Sequence, residues 1–131
     1  MENKELLEVE EKLGDFLERV AGRLSFDATI EEISVDEKGF YVSIQFFSPL
    51  GEDCHAEYFG GGTEDIEEKF INSAYSRYID FDADKHAEFW VKNRGNGKVP
   101  GTVMEIAEDA EEIEDMLRKI HDAANDEFYR K

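Results

Sequence analysis

Apolar residues recur along this chain with two periods, and the changes of period divide it into elements. From Glu5 to Leu24, the residues Leu6, Val9, Leu13, Phe16, Val20 and Leu24 fall at steps of three and four, which places them on one stripe of an amphipathic helix. Period two follows. Thr29 to Val35 reads as a short strand and Asp36-Glu37-Lys38-Gly39 as turn chemistry. Phe40 to Phe47 then sets Phe40, Val42, Ile44 and Phe46 against Tyr41, Ser43, Gln45 and Phe47, the pattern of a strand with one core face. Ser48-Pro49-Leu50-Gly51-Glu52 makes the next turn, and Cys54, Ala56 and Tyr58 form the inward set of a third strand. Connections this short imply an antiparallel meander.

Gly60-Gly61-Gly62 is expected to end the sheet, with Thr63 capping a helix whose first turn carries Glu64, Asp65, Glu67 and Glu68 and whose buried stripe is Ile66, Phe70, Ala74 and Tyr78. Asp82 is the expected cap of a shorter helix containing Phe89, Trp90 and Val91, which ends at Asn93-Arg94-Gly95-Asn96-Gly97. Thr102-Val103-Met104-Glu105 has the form of a capping box. It opens a last helix along which Val103, Ile106, Ala110, Ile113, Leu117, Ile120 and Ala124 form a narrow seam expected to pack beside the first helix. The predicted fold is α+β, a three-stranded antiparallel meander flanked by helices in the order α-β-β-β-α-α-α. At 131 residues it is a single domain, 1–131. Its first five elements share the order of double-stranded RNA-binding domains, but the basic residues those domains set against phosphate are absent, so no function follows from the topology.

Charge changes the picture more than composition does. Lys plus Arg number 15 against 33 Asp plus Glu, a net charge of -18. Such a body repels nucleic acid and anionic membrane surfaces over about 10 Å at moderate salt, so neither is an expected direct ligand. Ten Phe, five Tyr and one Trp with only two Pro argue for a packed core over a disordered acidic chain. No apolar run approaches the about 18 residues of a membrane-spanning helix. The acidic start Met1-Glu2-Asn3-Lys4-Glu5 is unlike a signal peptide, and the lone Cys54 cannot form an internal disulfide. The expected location is cytoplasmic.

Candidate chemistry is sparse. Asp80-Phe81-Asp82-Ala83-Asp84 opens like a calcium loop, but Lys85 stands where Gly is required and Val91 where a bidentate Glu should be. Gly60-Gly61-Gly62 is followed by Thr63-Glu64-Asp65, which would repel a phosphate, and Gly95-Asn96-Gly97-Lys98 lacks the rest of a phosphate-binding loop. His55, His86 and His121 are dispersed, and Cys54 and His55, as strand neighbours, point to opposite faces. No metal site, no cofactor and no enzymatic activity are expected. A Cys54 pair with His86 or His121 is the least favoured alternative, a small enzyme.

The distribution of acid is the strongest signal. Between Val99 and Leu117 stand Glu105, Glu108, Asp109, Glu111, Glu112, Glu114 and Asp115, with no Lys or Arg. At about 100° per residue, Glu105, Glu108, Asp109, Glu111, Glu112 and Asp115 share an arc opposite Ile106, Ala110 and Ile113, despite the mutual repulsion this entails. Over Glu105 to Asp115 the seven carboxylates average one per about 2.4 Å of helix axis, against one phosphate charge per about 1.7 Å of duplex DNA. Phe81-Asp82-Ala83-Asp84-Lys85-His86-Ala87-Glu88-Phe89-Trp90, with Val99-Pro100-Gly101-Thr102 and the acidic last helix, resembles small acidic proteins of unassigned function carried by phages and integrative elements of Firmicutes. In size and charge the chain is similar to DNA-mimicking antirestriction and anti-CRISPR proteins, a resemblance that carries over no individual residue. The expectation is a non-enzymatic acidic binding or inhibitor protein. Its six carboxylates would occupy a basic surface on a nucleic-acid-handling protein, in the manner of mobile-element counter-defence. The alternative is a structural or regulatory interaction module using the sheet face, with Tyr41, Phe47 and Phe59 exposed beside Gln45, His55 and Glu57. The small basic island Lys92, Arg94 and Lys98 balances local acid or serves as a docking loop.

Overall fold

The computed structural model describes residues 3–77, 82–93 and 100–130. Its elements follow the predicted order: α1 (Asn3–Gly22), β1 (Ala28–Asp36), β2 (Gly39–Phe47), β3 (Asp53–Gly61), α2 (Ile66–Arg77), α3 (Ala83–Lys92) and α4 (Val103–Phe128). The strands form one antiparallel sheet in the order β1-β2-β3, so the chain has the expected α+β architecture. None of the described helices is long and apolar enough to cross a membrane.

Each hairpin is closed by its own turn chemistry. Asp36 Oδ1 accepts from the N–H groups of Lys38 (2.8 Å) and Gly39 (3.0 Å), fixing the tight turn between β1 and β2. Gly39 faces Gly61 across the ladder, and a Cβ at Gly39 would stand 2.0 Å from the Gly60 carbonyl oxygen, a clash only glycine avoids. Gly60 and Gly61 therefore belong to β3, and the sheet ends at Gly62 (φ 87°), slightly later than the glycine run suggests. In β1, Ile30 and Ile33 are three residues apart, which strict alternation would send to opposite faces. A bulge between Ile30 and Glu32 absorbs one residue, and Ile30, Ile33 and Val35 all pack toward the core.

On the covered face, α1 lies over β1 and α2 over β3, while α4 packs against α1, α2 and α3. The predicted stripe of α1 is buried at Leu13, Phe16 and Val20, with Leu17 added, and Leu6, Val9 and Leu24 are half-buried. Helix α2 begins at Ile66, preceded by Asp65 in the left-handed region (φ 52°). Glu64 and Asp65 thus sit in the preceding turn, and Thr63 is three residues from the helix start. Ile66 and Phe70 are buried as expected, the side chain of Ala74 and all of Tyr78 lying outside the described positions. In α4, Ile106, Ile113, Leu117, Ile120 and Ala124 are buried, but Val103 is exposed and Met116, Ala123 and Asp109 join the buried set. The α1–α4 contact is closed by Glu127, which accepts from Arg23 Nε (2.8 Å) and Arg19 Nε (2.9 Å). The arginines, Arg23 first, hold its carboxyl below the ordinary value.

Candidate functional site

Thr102 Oγ1 accepts from the Glu105 N–H (3.1 Å), while the Glu105 carboxylate reaches back to the Gly101 N–H (3.2 Å), one residue beyond a standard capping box. This cap starts the acidic helix. Along it Glu105, Glu108, Glu111, Glu112 and Glu114 are exposed, and the first four border a shallow cleft whose other wall is Pro49 and Leu50. Asp115 is half-buried and shares Arg118 (3.6 Å) and Lys119 (3.2 Å) of its own helix.

Asp109 corrects the predicted acidic arc. Its side chain is 1% exposed, because α3 and the β2–β3 turn cover a second side of α4 and widen the buried sector beyond the expected seam. Asp109 is three residues after Ile106 and four before Ile113, a core position. With Asp109 removed and Asp115 paired, the exposed carboxylates between Glu105 and Asp115 thin to one per about 3.3 Å of axis, so a match to the phosphate density of DNA no longer holds.

What surrounds Asp109 is a cluster built from three elements. The turn Pro49-Leu50-Gly51 is a three-residue hairpin loop: the Gly51 N–H donates to the Ser48 carbonyl (2.8 Å), Gly51 takes φ 96°, and the Ser48 N–H returns to the Glu52 carbonyl (2.9 Å). Ser48 Oγ also accepts from the Glu52 N–H (3.0 Å). Glu52 thereby keeps the inward parity of Cys54, Ala56 and Tyr58. Asp82 caps α3 as predicted, accepting from the N–H groups of Asp84 (2.9 Å) and Lys85 (3.2 Å). The cap turns His86 and Trp90, one helical turn apart, toward α4, leaving Phe89 and Val91 exposed. On α4, Asp109 Oδ1 accepts from the Leu50 N–H (3.1 Å), tying the hairpin turn to the helix.

His86, 2% exposed, lies between the two carboxylates. Its Nδ1 contacts Glu52 Oε2, and its Nε2 is 3.2 Å from Asp109 Oδ2. Burial pushes its pKa below the ordinary 6.5, opposed by the Asp109 charge and a backbone hydrogen bond at Ile106. Glu52 and His86 open onto a cavity of about 230 Å³ that Cys54, Asp82 and Lys85 also line. Cys54 and His86 therefore share a cavity, which chain order alone could not establish. Chemically, this is a buried imidazole with two acidic oxygens beside it, a set suited to holding a proton or a cation. The dispersal of the three histidines along the chain gave no sign that His86 meets two carboxylates. The legible signs were Asp109 in a seam position and His86 one turn before Trp90.

The uncovered face of the sheet is largely self-paired. Tyr41 donates to Glu57 (2.6 Å), Gln45 to Asp53 (2.8 Å) and Ser43 to Glu31 (3.1 Å), and His55 Nδ1 meets Glu31 (2.9 Å). Phe47 and Phe59 are exposed, Tyr41 is half-buried, and His55 and Cys54 do lie on opposite faces. Lys92 is exposed at the end of α3, whereas Arg94, Lys98 and the residues Asp80 and Phe81 of the calcium-like run fall outside the described positions. Comparison with protein-family models, curated protein sequences and solved structures returns no significant match for this chain.

Proposed function

We propose that the chain is a non-enzymatic binding protein whose acidic α4 face occupies a basic, normally nucleic-acid-binding surface of another protein. The observation that supports this is the exposed row Glu105, Glu108, Glu111 and Glu112 beside the cleft at Pro49 and Leu50, on a stretch without Lys or Arg from Val99 to Leu117. A solvated helix face ordinarily mixes signs, because Glu and Lys at i, i+4 attract and like charges repel. Among the described residues, this one makes no ion pair until Asp115. Single exposed ion pairs contribute about 0 to 1 kcal/mol, but several carboxylates on one rigid helix engage several Lys and Arg residues together and raise the encounter rate.

The test is capture of basic proteins from a host lysate on the immobilised chain, followed by elution with duplex DNA. Proteins that bind nucleic acid should be retained, displaced by DNA and by salt, and lost when Glu108, Glu111 and Glu112 are all replaced by Gln. Retention indifferent to both the substitutions and the ionic strength would make the acidic face a solubility device.

A further inference from the structure

We propose that Glu52, His86 and Asp109 together bind one divalent transition-metal ion of the zinc class. One ligand-type atom from each residue lies within 4.8 Å of the other two. A simple relay would have each carboxylate take a proton from opposite ring nitrogens. At an N···O distance of about 2.8 Å it would hold the two acidic oxygens about 7.5 Å apart. Glu52 does face Nδ1 and Asp109 Nε2, but one ligand atom from each of the three residues lies within 4.8 Å of the others, closer than a ring-spanning relay allows, so the set converges. Apart from their contacts to His86, Glu52 Oε2 and Asp109 Oδ2 are buried and accept no hydrogen bond among the described residues, while the other Asp109 oxygen is already fixed by the Leu50 N–H. One oxygen of Asp109 is thus anchored and the second aimed into the cluster.

Tetrahedral coordination at bond lengths of about 2.0 to 2.2 Å separates ligand atoms by about 3.3 Å, close to the 3.2 Å between His86 Nε2 and Asp109 Oδ2. Glu52, whose side chain is 16% exposed, has the freedom to complete the set. An imidazole with two carboxylates favours zinc, iron, cobalt or manganese over calcium and magnesium, which take oxygen ligands. The fourth position would face the cavity beside Cys54, which gives a path for entry and room for water. Two carboxylates beside one imidazole also leave net negative charge in a buried place, and a divalent cation compensates it. Because the ligands come from the hairpin turn, α3 and α4, the ion would join three elements that no covalent link joins.

The chain, stripped with EDTA and dialysed, is titrated with zinc chloride by calorimetry and with cobalt chloride by visible absorption. One zinc per chain with submicromolar affinity is expected, and a cobalt d–d band intense enough for a four-coordinate site. Glu52→Gln, His86→Gln and Asp109→Asn should each weaken uptake at least about 100-fold, with far-UV circular dichroism confirming the fold. The Glu108, Glu111 and Glu112→Gln variant should keep the site, since none of these residues belongs to the ligand set. Weak multi-site uptake by the wild type would overturn the proposal. So would stoichiometric uptake that survives Glu52→Gln and Asp109→Asn, or that disappears with the three surface substitutions.

Discussion

Asp109 and Glu127 are carboxylates of the same helix, both shielded from water, yet they are stabilised in opposite ways. Glu127 receives the guanidinium groups of Arg19 in α1 and of Arg23 just after it, which remain charged at any pH the protein meets. Asp109 receives a backbone N–H and faces an imidazole that a second carboxylate also faces. One is a completed ion-pair cluster clamping α4 to α1; the other holds more negative than positive charge. Surplus charge in a buried place is where binding chemistry is expected, whereas a balanced cluster reads as architecture.

The harshest test of this contrast puts a third carboxylate on the same seam with no partner at all. Ile113 is fully buried one turn beyond Asp109. Ile113→Asp should cost about 3 to 5 kcal/mol in urea unfolding, the combined loss of apolar burial and an unpaired buried charge. A small loss would mean that the seam tolerates carboxylates generally and that the partners of Asp109 are incidental.

A milder break removes Asp109 itself. In metal-free buffer Asp109→Ala should cost about 1 to 3 kcal/mol, because the half-buried Leu50 N–H loses its acceptor. Asp109→Asn keeps an oxygen for that N–H and should cost less. If the two variants were equally unstable, the bond to Leu50 would not be what ties the hairpin turn to α4.

These positions also show what the residue pattern could and could not disclose. The β2 strand was legible because Phe40, Val42, Ile44 and Phe46 recur at every second position, and the α1 stripe because six apolar residues share one side. The bulge in β1 was not, since Ile30 and Ile33 make sense only once a residue has been absorbed between them. Asp109 was read as surface because charge normally seeks water, although its spacing from Ile106 and Ile113 placed it in the core. Glu52 carried the inward parity of Cys54 and Ala56, and His86 the spacing of Trp90. Each residue bore a local sign of burial, but their meeting depends on how α3 and the hairpin turn pack on α4, which no local pattern encodes. The acidic outer row, by contrast, was legible because exposure of Glu108, Glu111 and Glu112 needs only the helix and its buried side.

Glu127 gives a smaller, pH-dependent effect. Arg23 and Arg19 hold its carboxyl below the ordinary 4.5. A depressed carboxylate pKa adds stability above the unfolded value and loses it as the pH falls through the folded value. The stability difference between wild type and Glu127→Gln should therefore be constant at neutral pH, begin to shrink below about pH 5, and vanish once both states are protonated. A difference that persisted in acid would show that the arginines hold Glu127 by packing and neutral hydrogen bonding. High salt should reduce it only in part, given that the Glu127 side chain is 8% exposed.

The smallest effect on the fold belongs to the carboxylates that are neither clamped nor clustered. Glu108, Glu111 and Glu112 point to solvent, so replacing all three with Gln removes no buried contact and relieves repulsion worth a few tenths of a kcal/mol per like-charged pair. The urea midpoint should stay level or rise slightly, by less than about 1 kcal/mol in stability, and the gain should fade in high salt. A loss of stability would mean that the row holds internal cations and belongs with Glu127. If stability is kept while capture of basic proteins is lost, then α4 divides its carboxylates by role. Glu127 serves the fold, Asp109 a buried site, and the outer row another protein.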